Sequence, residues 1–267
     1  MKFDDLDARM RVFETAHDHC ALPGLYLVAR LDGRNFTRLT KEVHAFQAPF
    51  DERMRELMAE TVRHLFFCGF RVAYGYTQSD EISLLLHPTE DTFGRKLRKY
   101  TSVLAGEASA KFSLLLGGVG VFDCRLSQLP REQGVVDYFR WRQEDAGRNA
   151  LNAHCYWLLR QQGHSVAEAT GRVRGLRTAA KHDLLFGLGV NYNDLPAWQK
   201  RGLGVYWETY AKTGLNPRTQ QAGETQRRRL RTDAELPLGD AYAAFVRGFL
   251  LSNDAALPVA PAPASIH

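Results

Sequence analysis

Val28-Ala29-Arg30-Leu31-Asp32-Gly33-Arg34 ends one β-rich apolar run, and Gly75-Tyr76-Thr77-Gln78-Ser79-Asp80-Glu81 leads into another. The two carboxylate-bearing segments lie about fifty residues apart, with one long helical pattern between them. That arrangement is expected when Asp32 and Asp80 meet on neighbouring strands of one sheet. Two carboxylates at one spot repel each other unless cations sit between them. Hard cations such as Mg²⁺ are held by few carboxylates, with substrate phosphates completing the shell. The pair therefore predicts a two-metal phosphoryl-transfer site. Glu81 is a third catalytic candidate, although its place beside Asp80 on a strand would turn it to the opposite face.

Working outward, residues 4–19 read as an opening helix and Leu25–Leu31 as a strand stopped by Asp32-Gly33. Asp51 can cap a helix reaching about Phe67, with Met54, Leu57, Met58, Leu65 and Phe66 at helical spacing. Phe70–Tyr76 and Ile82–His87 form a hairpin pattern with residues 77–81 at its tip. Gly94–Leu116 reads as a helix and Val119–Arg125 as a strand. This order predicts an α+β fold, with a ferredoxin-like antiparallel sheet carrying helices on one face. After Pro130 the pattern turns helical over Val135–Gln162, Ser165–Arg172 and Leu176–Phe186. Residues 187–222 look irregular or β-like. The expected organisation is a catalytic region over 1–130, a helical and irregular region over 131–222, and a basic segment with a terminal helix over 223–251. Residues 252–267, rich in Ala and Pro and nearly uncharged, read as a disordered tail.

Hydrophobic residues make up 45% of the 267, enough for a substantial core. The net charge of +5 permits a polyanionic partner without requiring one. Cys20, Cys68, Cys124 and Cys155 are too scattered for a zinc site or a disulfide framework, which fits a reducing cytoplasm. The N-terminal stretch is too polar and acidic for a signal peptide, and no apolar run reaches membrane-spanning length.

Each motif also has a plainer meaning. Asp-Gly is most often a hairpin turn, and a polar hairpin tip is normally just exposed. The residues after Asp32 shift the balance: Gly33, Arg34, Asn35, Phe36 and Thr37 can offer backbone N–H groups and a guanidinium to a polyphosphate. Gly33 can also lend a carbonyl to a metal. The basic cluster Arg95, Lys96, Arg98 and Lys99 is either a solvated helix face or a grip for a triphosphate. Four arginines within Gln226–Arg231 could touch nucleic acid. His44, His154 and His182 read as structural or surface residues, and Tyr138, Trp141, Tyr156 and Trp157 as core. Neither G-x-x-x-x-G-K-[ST] nor G-x-G-x-x-G occurs, which argues against a P-loop or Rossmann protein.

Five blocks in order, ARLDGRNFTRL, YTQSDEISLLL, YFRWRQEDAGRNALNAHCYWLLRQQG, AAKHDLLF and VNYNDLPAWQKRG, resemble the tRNA-His guanylyltransferase family over about residues 3–220. The resemblance implies a polymerase-like palm followed by a largely helical C-terminal half. It implies 3′-to-5′ nucleotide addition to a tRNA 5′ end with GTP or another NTP, two Mg²⁺ ions, and 5′ activation by ATP. It implies metal binding by Asp32, the Gly33 carbonyl and Asp80. Nucleotide binding falls to Asp32–Thr37, Ser79 and Asp80, with Arg95 or Lys96, and Lys99 beside them, supplying charge. RNA contact falls to Asn149, Asn152 and Lys181, with Arg227, Arg228 and Arg229 added from the basic run. A homo-oligomer, a tetramer, is also implied. Gly147 stands where the tRNA-His-specific members have His, so the resemblance favours template-dependent tRNA repair by the bacterial and archaeal "like" proteins. Addition of the extra 5′ guanosine to tRNA-His is the alternative. A nucleotidyl cyclase would need no long helical half, and a non-catalytic RNA-binding module would need neither Asp32 nor Asp80.

Overall fold

Leu27, Ala29 and Leu31 point to one side of the first strand, and Val28, Arg30 and Asp32 follow the alternation to the other. This parity builds the site. The computed structural model describes residues 2–215 and 222–251. In chain order its elements are α1 (Phe3–Thr15), β1 (Tyr26–Gly33), α2 (Phe36–Arg38), α3 (Glu52–Leu65), β2 (Val72–Gln78), β3 (Glu81–Leu86), α4 (Leu97–Leu116) and β4 (Phe122–Leu129). There follow α5 (Glu132–Gln161), α6 (Val166–Val173), α7 (Thr178–Gly187), α8 (Ala197–Arg201), β5 (Leu203–Leu215), β6 (Ala222–Asp233) and α9 (Gly239–Leu251).

The strands form one antiparallel sheet in the order β4-β1-β3-β2-β5-β6. Helices α3 and α4 cover one face. Asp51 caps α3, one carboxylate oxygen accepting from the Arg53 N–H and the other from the Gln47 N–H, each at 2.7 Å. Met58, Val62 and Leu65 of α3, and Tyr100, Leu104, Ala108 and Phe112 of α4, pack on Leu27, Ala29 and Leu31. These spacings of three and four keep each seam on one helix face. Helices α5 and α9 cover the opposite face, where Val135, Val136, Phe139, Tyr242 and Val246 meet Val28, Tyr74, Tyr76 and Leu85. The 30 residues of α5 span about 45 Å at 1.5 Å per residue, long enough to run past the sheet edge.

The palm-like region and the largely helical second half match the fold class read from sequence. The second half also adds two strands to the sheet: β5 lies in the stretch read as irregular or β-like, and β6 lies mostly in the stretch read only as a basic segment. Helix α1 ends at Thr15 and buries none of its residues. Of the aromatic set assigned to the core, Tyr138 is buried, but Trp141 is 55% exposed and stacks under the Arg142 guanidinium instead. The expected disordered tail lies outside the described residues. Among those described, no helix is long and apolar enough to cross a membrane.

Candidate active site

Strand β1 delivers Asp32 to the α5 side of the sheet, directly opposite Glu81 of β3 and Asp123 of β4. Asp80 comes from the next connection. Ser79 and Asp80 form the turn between β2 and β3, with Ser79 in the left-handed region at φ 56°. The Gly33 N–H donates to the Asp80 carbonyl at 3.0 Å and pins this turn to the end of β1. Position 33 must be glycine. A Cβ there would lie 2.5 Å from the Phe36 ring, which packs against Phe112 and Phe122. Asn35, at φ 59°, then turns the chain into α2 in a conformation that Asn tolerates better than most residues.

Asp80 is a carboxylate whose charge is poorly compensated by its surroundings. Burial raises its pKa above the ordinary Asp value, and the Asp32 charge raises it further. The Ser79 hydroxyl donates to it at 3.1 Å, but no ion pair reaches it among the described residues. Among the described residues, the ion pairing of Asp32 is limited to a long, exposed contact with Arg125, at 3.8 Å. No group of three or more His, Cys, Asp or Glu side chains could hold a metal among the described residues. An ion held here would therefore draw its remaining ligands from carbonyls, water or substrate phosphates, which is the habit of Mg²⁺. The residues fit that ion.

Glu81 differs from the catalytic role expected of it. It does not turn away from Asp32, because Asp80 occupies the turn rather than the strand and Glu81 is the register partner of Asp32. Its carboxylate accepts from Arg142 Nε at 2.6 Å, from Arg142 Nη2 at 2.7 Å and from Arg30 Nη2 at 2.6 Å. Two guanidiniums already occupy it. Phe36 also differs from its expected place at a nucleotide, since its side chain is buried in the α3/α4 core. Arg34 and Asn35, with Arg38, line a surface cavity beside the turn, and Thr37 is exposed.

The basic helix start is not brought to the carboxylates. The Arg95 guanidinium donates to the carbonyls of Ala21, Leu22, Leu25 and Glu90, at the opposite end of β1. Seven residue steps along β1 separate Leu25 from Asp32, about 24 Å at roughly 3.4 Å each. Lys96 pairs with Asp18 at 2.8 Å, and Lys99 lies over the Phe93 ring. These side chains are therefore structural or surface groups within the chain. The reason is topological: α4 runs antiparallel to β4, so its C-terminal end, not its first turn, adjoins Gly33.

Three hollows lie along α5, and the first is lined by both carboxylates. A cleft of about 240 Å³ runs between the carboxylates and α5, lined by Asp32, Asp80, Arg142, Asp145 and Asn149. The Tyr76 hydroxyl is buried there without a hydrogen-bond partner among the described residues. Beside it, Phe50, Asp51, Arg55, Trp157 and Trp198 line a smaller aromatic hollow that also touches Ser79. Sequence reading passed over this second hollow, because its residues come from four separate elements. On the other side of α5 lies a basic cavity of about 550 Å³ holding Arg148, Asn152, Lys181, His182 and Lys200. Thus Asn152 and Lys181 come together, while Asn149 faces the carboxylate cleft. Arg227, Arg228 and Arg229 lie apart on β6, where Arg228 sits over Trp207, and Arg229 sits over Tyr210 and pairs with Glu208. Gly147 lines the basic cavity, its carbonyl accepting from the Tyr192 hydroxyl at 3.2 Å.

Residues 7–130 match the family model described as tRNAHis guanylyltransferase, and residues 133–237 the one described as Thg1 C terminal domain. The probable tRNA(His) guanylyltransferase of Mus musculus is 31% identical over 210 residues, covering 74% of this chain and 70% of that protein. The chain belongs to the tRNA(His) guanylyltransferase family. The Homo sapiens relative is 33% identical over 212 residues, again covering 74% of this chain and 70% of its own length. A bacterial tRNA(His) guanylyltransferase (Thg1)-like protein solved in complex with GTP superposes with a TM-score of 0.70 at 29% identity, covering 93% of this chain and all of that one. The same kind of protein in complex with ATP gives 0.72 at 28% identity, covering 92% of this chain and 99% of that one. The two family blocks meet between β4 and α5, where the sheet's own helices give way to those of the second half.

Proposed function

We propose that this chain is a nucleotidyltransferase that adds guanosine to the 5′ end of tRNA, using GTP and ATP in the manner named for its relatives. The observation that carries the reading is the Asp32–Asp80 pair. Asp80 is raised in pKa and has no ion-pair partner among the described residues, and the pair lines an open cleft that adjoins an aromatic hollow at Ser79. Repair directed by the opposing strand is the first expectation from sequence. The names of the mouse, fly and human relatives support guanosine addition better.

Asp32 and Asp80, with the Gly33 carbonyl, would hold Mg²⁺, which supplies charge neutralisation at the triphosphate and a lowered pKa for an attacking hydroxyl. The chain's own residues do the rest. The aromatic hollow stacks a base, and Asp51 at its edge is an acceptor for a base N–H. Arg34 and Arg38, on the surface cavity beside the turn at Gly33–Asn35, would offer positive charge to the phosphates. A 5′-monophosphate has no leaving group, so its oxygen must first attack the α-phosphorus of ATP and release pyrophosphate. The 3′-hydroxyl of GTP then attacks the activated 5′-phosphorus, and AMP leaves. The cleft under Asp145 and Asn149 gives the RNA end access to both carboxylates. The basic cavity behind α5, and the arginines of β6, offer charge to the RNA backbone.

Template-directed repair is the second reading, and Gly147 favours it. A missing hydrogen-bonding side chain relaxes discrimination between RNAs. Coverage of 93% of this chain by the bacterial like protein, against 76% by the Saccharomyces cerevisiae enzyme, supports the same branch. One competition decides between them. Purified protein receives Mg²⁺, labelled NTPs, tRNA-His lacking its extra guanosine, and several 5′-truncated tRNAs. Preference for tRNA-His by about tenfold or more, some 1.4 kcal/mol in transition-state binding, supports guanosine addition. Preference for the truncated tRNAs supports repair, and no incorporation into any RNA overturns both.

A further inference from the structure

Glu81 is the first residue of β3, one bond beyond Asp80, and its carboxylate is gripped from the other half of the chain. Arg142 of α5 forks onto both oxygens at 2.6 and 2.7 Å, and Arg30 adds a third bond at 2.6 Å. The Arg142 and Glu81 side chains are only 8% and 13% exposed. A bidentate guanidinium–carboxylate pair fixes orientation as well as distance. Arg142 is itself held, since its Nη2 also donates to Asp145 at 3.1 Å and Asp145 accepts from Asn149 at 3.2 Å. The turn that this grip supports is short and contains a left-handed Ser79. The β2–β3 ladder closes the turn at the Gln78–Glu81 pair. Further bonds run from the Gly33 N–H to the Asp80 carbonyl, from the Ser79 hydroxyl to the Asp80 carboxylate, from the Thr77 hydroxyl to the Glu81 carbonyl and from the Gln78 amide to the Gln199 carbonyl, but none of these fixes the Glu81 side chain.

We propose that Arg142 is a positioning residue for nucleotidyl transfer, acting through Glu81 to fix the Asp80 carboxylate against Asp32. The inference rests on the metal-dependent reading above. It assigns Glu81 the task of tethering the turn, not of binding an ion, and makes the second half of the chain a support for the carboxylates of the first. A guanidinium fork also explains why a lysine would not substitute: one ammonium cannot bond both oxygens in a fixed plane.

Equilibrium binding of Mn²⁺ in the presence of a non-hydrolysable GTP analogue, read by the EPR signal of the free ion, tests this without RNA or turnover. Glu81→Gln and Arg142→Gln are each expected to weaken Mn²⁺ affinity by about 10- to 100-fold, the usual cost of losing an outer partner of a metal ligand. Arg142→Lys falls between parent and Arg142→Gln. The double variant Glu81→Gln/Arg142→Gln should bind within about twofold of the weaker single one, because both act through one link. Unchanged Mn²⁺ affinity in Arg142→Gln overturns the proposal. So does a double variant whose loss is the product of the singles, which would mean that Arg142 contacts the nucleotide directly. Where Arg142→Gln fails to melt cooperatively, the near-isosteric Glu81→Gln decides alone, and unchanged affinity there also overturns it. Parent protein that binds Mn²⁺ with the analogue but never labels tRNA would sink the guanosine-transfer reading and leave this one standing.

Discussion

Asp32 and Glu81 are direct partners across the β1–β3 ladder, yet only Glu81 is enclosed by guanidiniums. Arg30 and Arg142 consume its charge, while the charge of Asp32 acts on Asp80 one residue away in the turn. Of Asp32, Asp80 and Glu81, only the third has its charge matched by close guanidinium bonds among the described residues.

Asp32→Ala or Asp80→Ala should therefore abolish transfer while preserving the fold. A loss of about a thousandfold or more is expected, since a metal supplies most of the charge stabilisation at such a site. Single-turnover incorporation of labelled GTP, with circular dichroism as the control for folding, measures it. Activity within about tenfold of the parent would remove the carboxylates from the chemistry.

Asp80→Asn should raise the melting temperature of the protein in EDTA. The folded pKa of Asp80 lies above its unfolded value, so the proton is bound more tightly in the folded state. The contribution of Asp80 to stability is then best at low pH and is lost as pH rises through the carboxylate range. At about pH 7 the charge is a cost that the amide removes, by up to a few degrees for a domain of this size. The gain should vanish near about pH 3, below the usual Asp value. Scanning calorimetry at both pH values checks the sign.

His154 should titrate far below an ordinary histidine. Burial lowers its pKa to about 4, against phenyl and phenol rings of Phe50 and Tyr192. The neutral ring is favoured in the folded state, so its contribution to stability is complete above about pH 6.5 and declines as pH falls toward about 4. An NMR titration following the imidazole carbon-bound protons should show one such low midpoint. A midpoint near the ordinary value of about 6.5 would mean that this wall of α5 is wet.

Lys181→Ala should weaken tRNA binding and lower the slope of log affinity against log salt by about one. Lys181 lies in the basic cavity behind α5, where it can neutralise one phosphate. Filter binding at several salt concentrations measures both effects. An unchanged slope would assign Lys181 to the fold, where its carbonyl already accepts from the Cys155 thiol.

Arg95→Ala should destabilise the protein rather than impair nucleotide contact directly. Four carbonyls around the start of β1, three part-buried and one exposed, lose a charged donor, and a net loss of about 1 to 3 kcal/mol is expected for hydrogen bonds to a charged group. Urea denaturation reads the loss.

The sequence by itself determined the order of strands and helices as far as β4, the helical pattern after it, the Asp51 cap, and the Asp32 and Asp80 motifs, but not the strands β5 and β6. Local signals carry all of these: alternation, helical spacing, turn residues and side-chain capping act over a few positions. The five family blocks carried the reaction class in the same way. Only the tertiary structure decided the fate of individual charges. Glu81 and Asp80 are neighbours in sequence and both line the cleft, but the hairpin turn falls between Gln78 and Glu81, and only Glu81 is gripped by Arg142 and Arg30. Arg95 comes soon after the second carboxylate motif in the chain, yet the antiparallel return of α4 carries it to the far end of β1. Arg142, the aromatic hollow and the cavity behind α5 were equally hidden, since each depends on partners far apart in the chain. Charge in a protein is set by burial and by partners, and both are properties of packing that no short stretch of sequence contains.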